Sequence, residues 1–296
     1  MFPFQKVVIS GVGLLGASLG LAIRSKKLAN QIIGVGRNEE RLQHAVNIGA
    51  LDSYEMTLKA ACRDADFIVL CGPISVILSQ IPAAFASAPE GAIITDVGST
   101  KRSIVRKATD TARAGVHFVG SHPMAGSEKS GAEHARANLY EGATVVLTPD
   151  LRTQDAALDI VRSFWQALGM TAVEMLPARH DNLVARLSHL PHLVASALVA
   201  QTEVNPAGTA EMMRAVAGPG FRDSTRIAMG SVDMWTDILI DNRDAMLTAI
   251  DQIEDVLRDL RDSIDKKDRE SLGAFLDHAS KVRTQYNTTG NPGQGC

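Results

Sequence analysis

Lys6-Val-Val-Ile-Ser-Gly11-Val-Gly13-Leu-Leu-Gly16-Ala-Ser18 is the stretch on which the fold turns. The β-branched run Lys6–Ser10 predicts a short buried strand that stops at glycine, and from Leu14 onward small and apolar residues recur as on one helical face. The join is G-x-G-x-x-G. Gly11 permits a tight turn, Gly13 lets a pyrophosphate approach the backbone, and Gly16 lets helix and strand pack closely, with phosphate at the helix N-terminus. The string gains weight from its place after a strand and before a helix, which assigns Gly11, Gly13, Leu14, Leu15 and Gly16 to a dinucleotide. A glycine-rich packing turn is the plain alternative.

Further along, Ile32–Gly36 is a second apolar run, followed by an expected helix Arg41–Ile48 closed by Gly49. The runs Ala65–Cys71, Ala92–Asp96, Val116–Gly120, Thr144–Thr148 and Thr171–Met175 have the unbroken apolar character of strands covered on both faces. Alternating strand and helix predicts an α/β fold, a Rossmann-type doubly wound, mostly parallel sheet over residues 1–176. After Pro177 the β-branched runs stop, and 181–204, 207–216, 232–260 and 268–286 read as helices. These define an all-helical substrate and dimerisation domain, 177–287, with a loose polar tail, 288–296. Helices this long cannot cover one another within so short a segment, so a homodimer is expected.

The 296 residues carry 30 Lys+Arg against 33 Asp+Glu, a net charge of −3, which offers no basic field for a nucleic acid. Three cysteines, Cys62, Cys71 and Cys296, have no paired spacing, as expected of a reducing, cytoplasmic setting. The uncharged segment Val7–Ile23 is too short and too rich in glycine for a membrane span, and no membrane association is expected.

The strand expected to end at Gly36 is followed by Arg37, where an acid would hold the ribose 2′-hydroxyl of NAD. A guanidinium there favours the 2′-phosphate of NADP, although Arg37 lying in solvent while NAD binds stays open. Val116–Gly120 runs into Ser121-His122, which puts a histidine on a loop at the carboxyl end of a strand, where such sheets bind ligands. His122 is a candidate general base, and Ser99, at the same sheet edge, a partner for it or for a substrate hydroxyl. Asp96 reads as a loop or cap partner. In the helical domain, His180-Asp181, Ser188-His189-Leu-Pro-His192 and the 220–235 segment are dense in polar groups. Metal is not expected, since Pro191 breaks the helical register between two of the histidines and no familiar ligand spacing occurs. Arg222 or Arg226 could clamp a carboxylate or pair with nearby aspartates, and Trp235 could wall a pocket or anchor packing.

Together these motifs resemble the prephenate and arogenate dehydrogenase family. The carriers are Gly11–Ser18, Asp96-Val-Gly-Ser-Thr-Lys101, His122-Pro-Met-Ala-Gly-Ser-Glu-Lys-Ser-Gly131, Leu147-Thr-Pro149, His180-Asp181, Ser188–His192, Gly220–Ala228 and Met234-Trp235. The resemblance implies oxidative decarboxylation in tyrosine biosynthesis, with hydride passing to NAD(P). It makes His122 the base, Ser99 the residue that orients the hydroxyl, and Arg226 the carboxylate clamp. His192 and Glu128 match positions near the substrate side chain, and His189 and Trp235 are also expected to bind substrate. Prephenate is the expected substrate, since an imidazole can donate to its ketone or carboxylate. Arogenate or dual use is the alternative, because Glu128 could pair an amine. A hydroxyacid dehydrogenase would typically need a lysine in the helical domain, and 181–265 has none. An NADP-sensing regulator without chemistry is the remaining reading.

Overall fold

The computed structural model describes residues 2–126, 129, 131–204 and 209–289. Among them, one sheet contains β1 (Phe4–Ser10), β2 (Ala29–Val35), β3 (Ser53–Glu55), β4 (Phe67–Leu70), β5 (Ile93–Asp96), β6 (His117–Pro123), β7 (Thr144–Thr148) and β8 (Thr171–Glu174). Their order is β3-β2-β1-β4-β5-β6-β7-β8. Strands β1 to β6 pair in parallel, β7 runs antiparallel to β6, and β8 is parallel to β7. This is the doubly wound arrangement, with the strand order reversing between β1 and β4, where such sheets open a crevice.

Alternate residues of the same strands feed two cores, which is why the runs show no polar break. Val7, Ile9, Phe67, Val69 and Ile93 pack on one face with helix Leu14–Ser25. Val8, Ile33, Ile68, Leu70 and Ile94 pack on the other with helix Ile74–Ser87. The segment Val7–Ile23 is therefore strand, turn and helix.

Several expectations change. Strand β3 is only three residues long, too short to leave a pattern in sequence. His122 is not on a loop: β6 continues to Pro123 because β7 supplies an antiparallel ladder, with His122 opposite Val146. Asp96, the fully buried last residue of β5, accepts from the loop amide of Gly98, as a loop partner would, and in addition pairs with Lys101. Pro191 does not interrupt its helix. Pro177–Val184 passes through a π-turn, Ala185–His189, into Leu190–Ala200, with the Leu190 amide donating to the Ala185 carbonyl. The wider turn accommodates a ring that would clash with the carbonyl four residues earlier. Among the described residues, only the helix Pro177–Glu203 is long and apolar enough to cross a membrane. Its buried face carries His180, Asp181, His189 and His192, a set costly to place in lipid.

The single helix expected over 232–260 is two, Val232–Asp241 and Arg243–Asp265, separated at Asn242. By chain contacts the compact units are 1–242 and 243–296. The change in element type at 177 is thus not a break in packing. Asp181 accepts from the Lys101 and Arg102 amides, Asp237 from Ser75, and Asp241 from Thr100 and Ser103, which ties these helices to the sheet. The second unit is a pair of helices, Arg243–Asp265 and Arg269–Thr289, joined through Lys267 at φ 54°. Val256, Leu257, Ile264, Phe275, Leu276 and Tyr286 are exposed along it. The expected tail lies, from 290 on, outside the described residues.

Candidate active site

The glycine turn is shaped by close backbone approaches. Gly11 has φ +97°, and a Cβ there would stand 2.8 Å from the Cys71 carbonyl carbon. A Cβ on Gly16 would lie 2.1 Å from the Gly11 carbonyl oxygen. Gly13 differs, since nothing lies within 4 Å of where its Cβ would be. It is the N-cap of helix Leu14–Ser25 and gives no side-chain cap, and the first turn holds no acid. Leu14 is buried and Leu15 half-buried behind this opening. Open space before an uncapped helix N-terminus fits a dinucleotide pyrophosphate.

Arg37 stands exposed just past β2, with no ion pair or hydrogen bond among the described residues. Its neighbours are occupied. Asn38 caps helix Glu39–Asn47 by accepting from the Arg41 amide at 2.9 Å, and Glu39 accepts from the Tyr54 hydroxyl at 2.9 Å.

Beyond the ends of β5 and β6 lies a buried polar network. Lys101 and Asp96, both fully buried, form an ion pair; Lys101 Nζ also donates to the Ser121 carbonyl at 2.9 Å. Asp96 accepts from the Gly98 and Ser121 amides at 2.8 and 3.1 Å. Burial pushes the Asp96 carboxyl up and the Lys101 ammonium down, each opposed by the other's charge. Next to this pair, His122 Nδ1 is 2.9 Å from His180 Nε2, and His180 Nδ1 is 2.7 Å from Asp181 Oδ1. Asp181 in turn accepts from the Lys101 and Arg102 amides at 2.7 and 2.9 Å, at the start of helix Arg102–Thr111. Burial, reinforced by His180, Lys101 and His189, holds the His122 imidazole well below the usual histidine range, so it is neutral near pH 7.

A second group gathers on the neighbouring helices. The His192 ring stacks on Trp235 at 3.6 Å and 11°, and His189 meets Trp235 edge-on at 6.1 Å. Gly230 leaves no room for a side chain, since its Cβ would lie 2.4 Å from Trp235 Nε1. Buried His192 Nδ1 has no hydrogen-bond partner among the described residues. Asn242 Nδ2 donates to the Asp181 carbonyl at 2.9 Å and to His189 Nδ1 at 3.2 Å. Burial lowers His189 to about 4, partly opposed by Asp181.

Among the expected site residues, His189, His192 and Trp235 come together, and His122 lies within electrostatic reach of His189. The hydrogen bond of His122 goes to His180, not to Ser99, because the Nδ1 edge faces helix Pro177–Val184; Ser99 is half-buried. Arg226 is exposed at the start of the short turn Arg226–Met229, and Arg222 is exposed on the helix before it. Glu128 lies outside the described residues. Sequence reasoning gave no role to His180, Asp181, Lys101 or Asn242. For the first two the adjacent pair His180-Asp181 was a signal, while Asn242 sat inside an apparent continuous helix.

Residues 19–174 match the family described as prephenate dehydrogenase, nucleotide-binding domain, and residues 176–278 match prephenate dehydrogenase, dimerization domain. A Bacillus subtilis prephenate dehydrogenase is 33% identical over 278 residues, covering 94% of this chain and 75% of the relative. A Zymomonas mobilis cyclohexadienyl dehydrogenase is 30% identical over 293 residues, 97% of this chain and 98% of the relative. Among solved structures, prephenate dehydrogenase from Aquifex aeolicus in complex with hydroxyphenyl propionate and NAD+ superposes with a TM-score of 0.89. It is 32% identical, and the match covers 95% of this chain and 98% of that one.

Proposed function

The chain belongs to the prephenate dehydrogenase family, and on that premise we propose that it converts prephenate to 4-hydroxyphenylpyruvate by oxidative decarboxylation, with NADP preferred over NAD. The observation that carries the reading is His122, buried at the carboxyl end of β6 with its Nδ1 2.9 Å from His180 Nε2, in a sheet whose first turn fits a dinucleotide.

When bound, the dinucleotide supplies a nicotinamide ring that accepts hydride. The turn Gly11–Gly16 and its helix N-terminus would hold the pyrophosphate, and the exposed Arg37 would take the ribose 2′-phosphate. His122 takes the proton of the ring hydroxyl as the C4–H bond breaks. The ring carboxylate leaves as CO2, its bonding pair enters the aromatic ring, and the imidazolium returns the proton to the phenolate. Ser99 orients the hydroxyl and Arg226 clamps a carboxylate. Loss of CO2 with aromatisation drives the step, so the protein's part is alignment and an unprotonated base. His192, held by Trp235, has a buried Nδ1 without a partner among the described residues. A bare nitrogen is cheaper to bury unpaired than an N–H, so the proton belongs on Nε2, as a donor to the pyruvyl side chain, with His189 nearby; Glu128 stays a candidate substrate residue from the family resemblance.

Residues 1–176 serve as the nucleotide domain and 177–287 as the substrate and dimerisation domain. The exposed Leu183, Leu187, Val194 and Leu198 of helix Pro177–Glu203 support a homodimer. Cys62 and Cys71 are free thiols, which supports a cytoplasmic enzyme. A dual-substrate reading is favoured by one observation, the cyclohexadienyl dehydrogenase among the relatives. Initial rates with prephenate and arogenate, each against NAD+ and NADP+, decide. Prephenate turnover with NADP+ ahead is expected, equal use of both substrates makes the enzyme dual, and no turnover in any pairing overturns the reading.

A further inference from the structure

We infer that Asp181 is a positioning residue that sets opposite tautomers on two active-site histidines, leaving His122 with a bare Nε2 and His189 with an Nε2–H.

The argument is one of donors and acceptors. The Asp181 carboxylate accepts only, and it already takes two backbone amides. The 2.7 Å contact to His180 Nδ1 therefore puts the His180 proton on Nδ1. In a singly protonated ring, Nε2 is then an acceptor, and the 2.9 Å contact to His122 Nδ1 makes His122 the donor. One proton on His122 Nδ1 leaves Nε2 bare, the form a general base needs. The second chain starts from the same residue's main chain. A carbonyl accepts only, so the atom of Asn242 at 2.9 Å from the Asp181 oxygen is its NH2 group. That same group faces His189 Nδ1 at 3.2 Å and must donate to it, which moves the His189 proton to Nε2. Side chain and main chain of one residue thus give a proton acceptor and a proton donor. Asp181 can do this because the N-terminus of helix Arg102–Thr111 fixes its carboxylate, and because the helix carrying it also carries His180 and His189.

The catalytic consequence rests on the proposed function; the tautomer pattern does not. The test has two arms. In the first, long-range 1H–15N correlation on the histidine-labelled wild-type protein at neutral pH, assigned with single-histidine variants, reads the protonated nitrogen without substrate. His122 and His180 protonated on Nδ1 and His189 on Nε2 is the expected pattern, and His122 protonated on Nε2 overturns the inference. In the second, Asp181→Asn and His180→Phe are compared with Asn242→Ala in steady state. The NH2 group of Asp181→Asn opposes a backbone N–H in either orientation, that of Arg102 or that of Lys101, and in the second it also donates to His180; Phe offers His122 no acceptor. Both should lower kcat by about a hundredfold or more, with KM changed much less. Asn242→Ala should act chiefly on KM, raising it by roughly fivefold. Retention of kcat within about threefold in either of the first two, with the wild-type enzyme active, overturns the inference. If the wild type turns over no substrate, the functional reading fails while the spectra still decide the tautomers.

Discussion

The glycine turn after β1 and the histidine network beyond β6 lie in one sheet and are built by opposite means. The first is made of backbone from residues 11 to 16, and what it excludes is a Cβ: 2.1 Å is left at Gly16 and free space at Gly13. The second is made of side chains from β6 and three helical segments, joined across 58 positions between His122 and His180 and 61 between Asp181 and Asn242. A backbone site is written in contiguous residues and tolerates little change in them. A side-chain site is assembled only by packing, and its chemistry depends on which atom carries a proton.

The sharpest way to break the comparison is at His122. Replacement by Asn should lower kcat by about a thousandfold, roughly 4 kcal/mol in barrier, while dinucleotide affinity stays near wild type. A loss confined to dinucleotide binding would put His122 in the wrong region. Next comes Gly16→Ala, which drives a methyl into a main-chain oxygen and should cost about 3 kcal/mol of stability or abolish soluble protein. Its counterpart Gly13→Ala should melt within about 1 kcal/mol of wild type yet bind dinucleotide at least roughly tenfold more weakly, because the methyl occupies the phosphate's space. Equal behaviour of the two glycine variants in chemical denaturation would erase the distinction.

The pH dependence of stability probes the side-chain region. His189 is depressed from 6.5 to about 4 in the folded chain. Between those values the unfolded chain binds a proton that the folded one refuses, so stability is full above pH 6.5 and is lost as pH falls toward 4, by up to about 3 kcal/mol from this group. His122 acts in the same direction. Urea midpoints should fall on acidification more steeply for wild type than for His189→Gln, and parallel curves would contradict the buried neutral state. The smallest expected effect is that of Arg37→Ala, which should weaken NADP by roughly tenfold and leave NAD within about twofold. Equal weakening of both would move Arg37 off the 2′-phosphate.

This contrast also explains what could be read in advance. The parallel strands were legible because both faces are covered, so their apolar runs are unbroken, and the glycine turn because its geometry needs residues adjacent in sequence. Strand β3 was not, being three residues at the sheet's edge. Asn242 was hidden because the helical pattern continues on either side of it, and only the inward turn of its amide shows the break. His122 was legible as a polar group at a sheet end and His189 as part of a polar cluster in the helical segment, whereas their proton positions depend on His180, Asp181 and Asn242, whose contacts no spacing encodes.

The central claim is that a buried, neutral His122 accepts the hydroxyl proton, and the pH profile of kcat/KM for prephenate with NADP+ tests it most directly. The expected acid limb lies well below pH 6.5, the direction in which burial moves this imidazole, and disappears in His122→Asn. An acid limb at or above 6.5, or one unchanged by that substitution, would contradict the account.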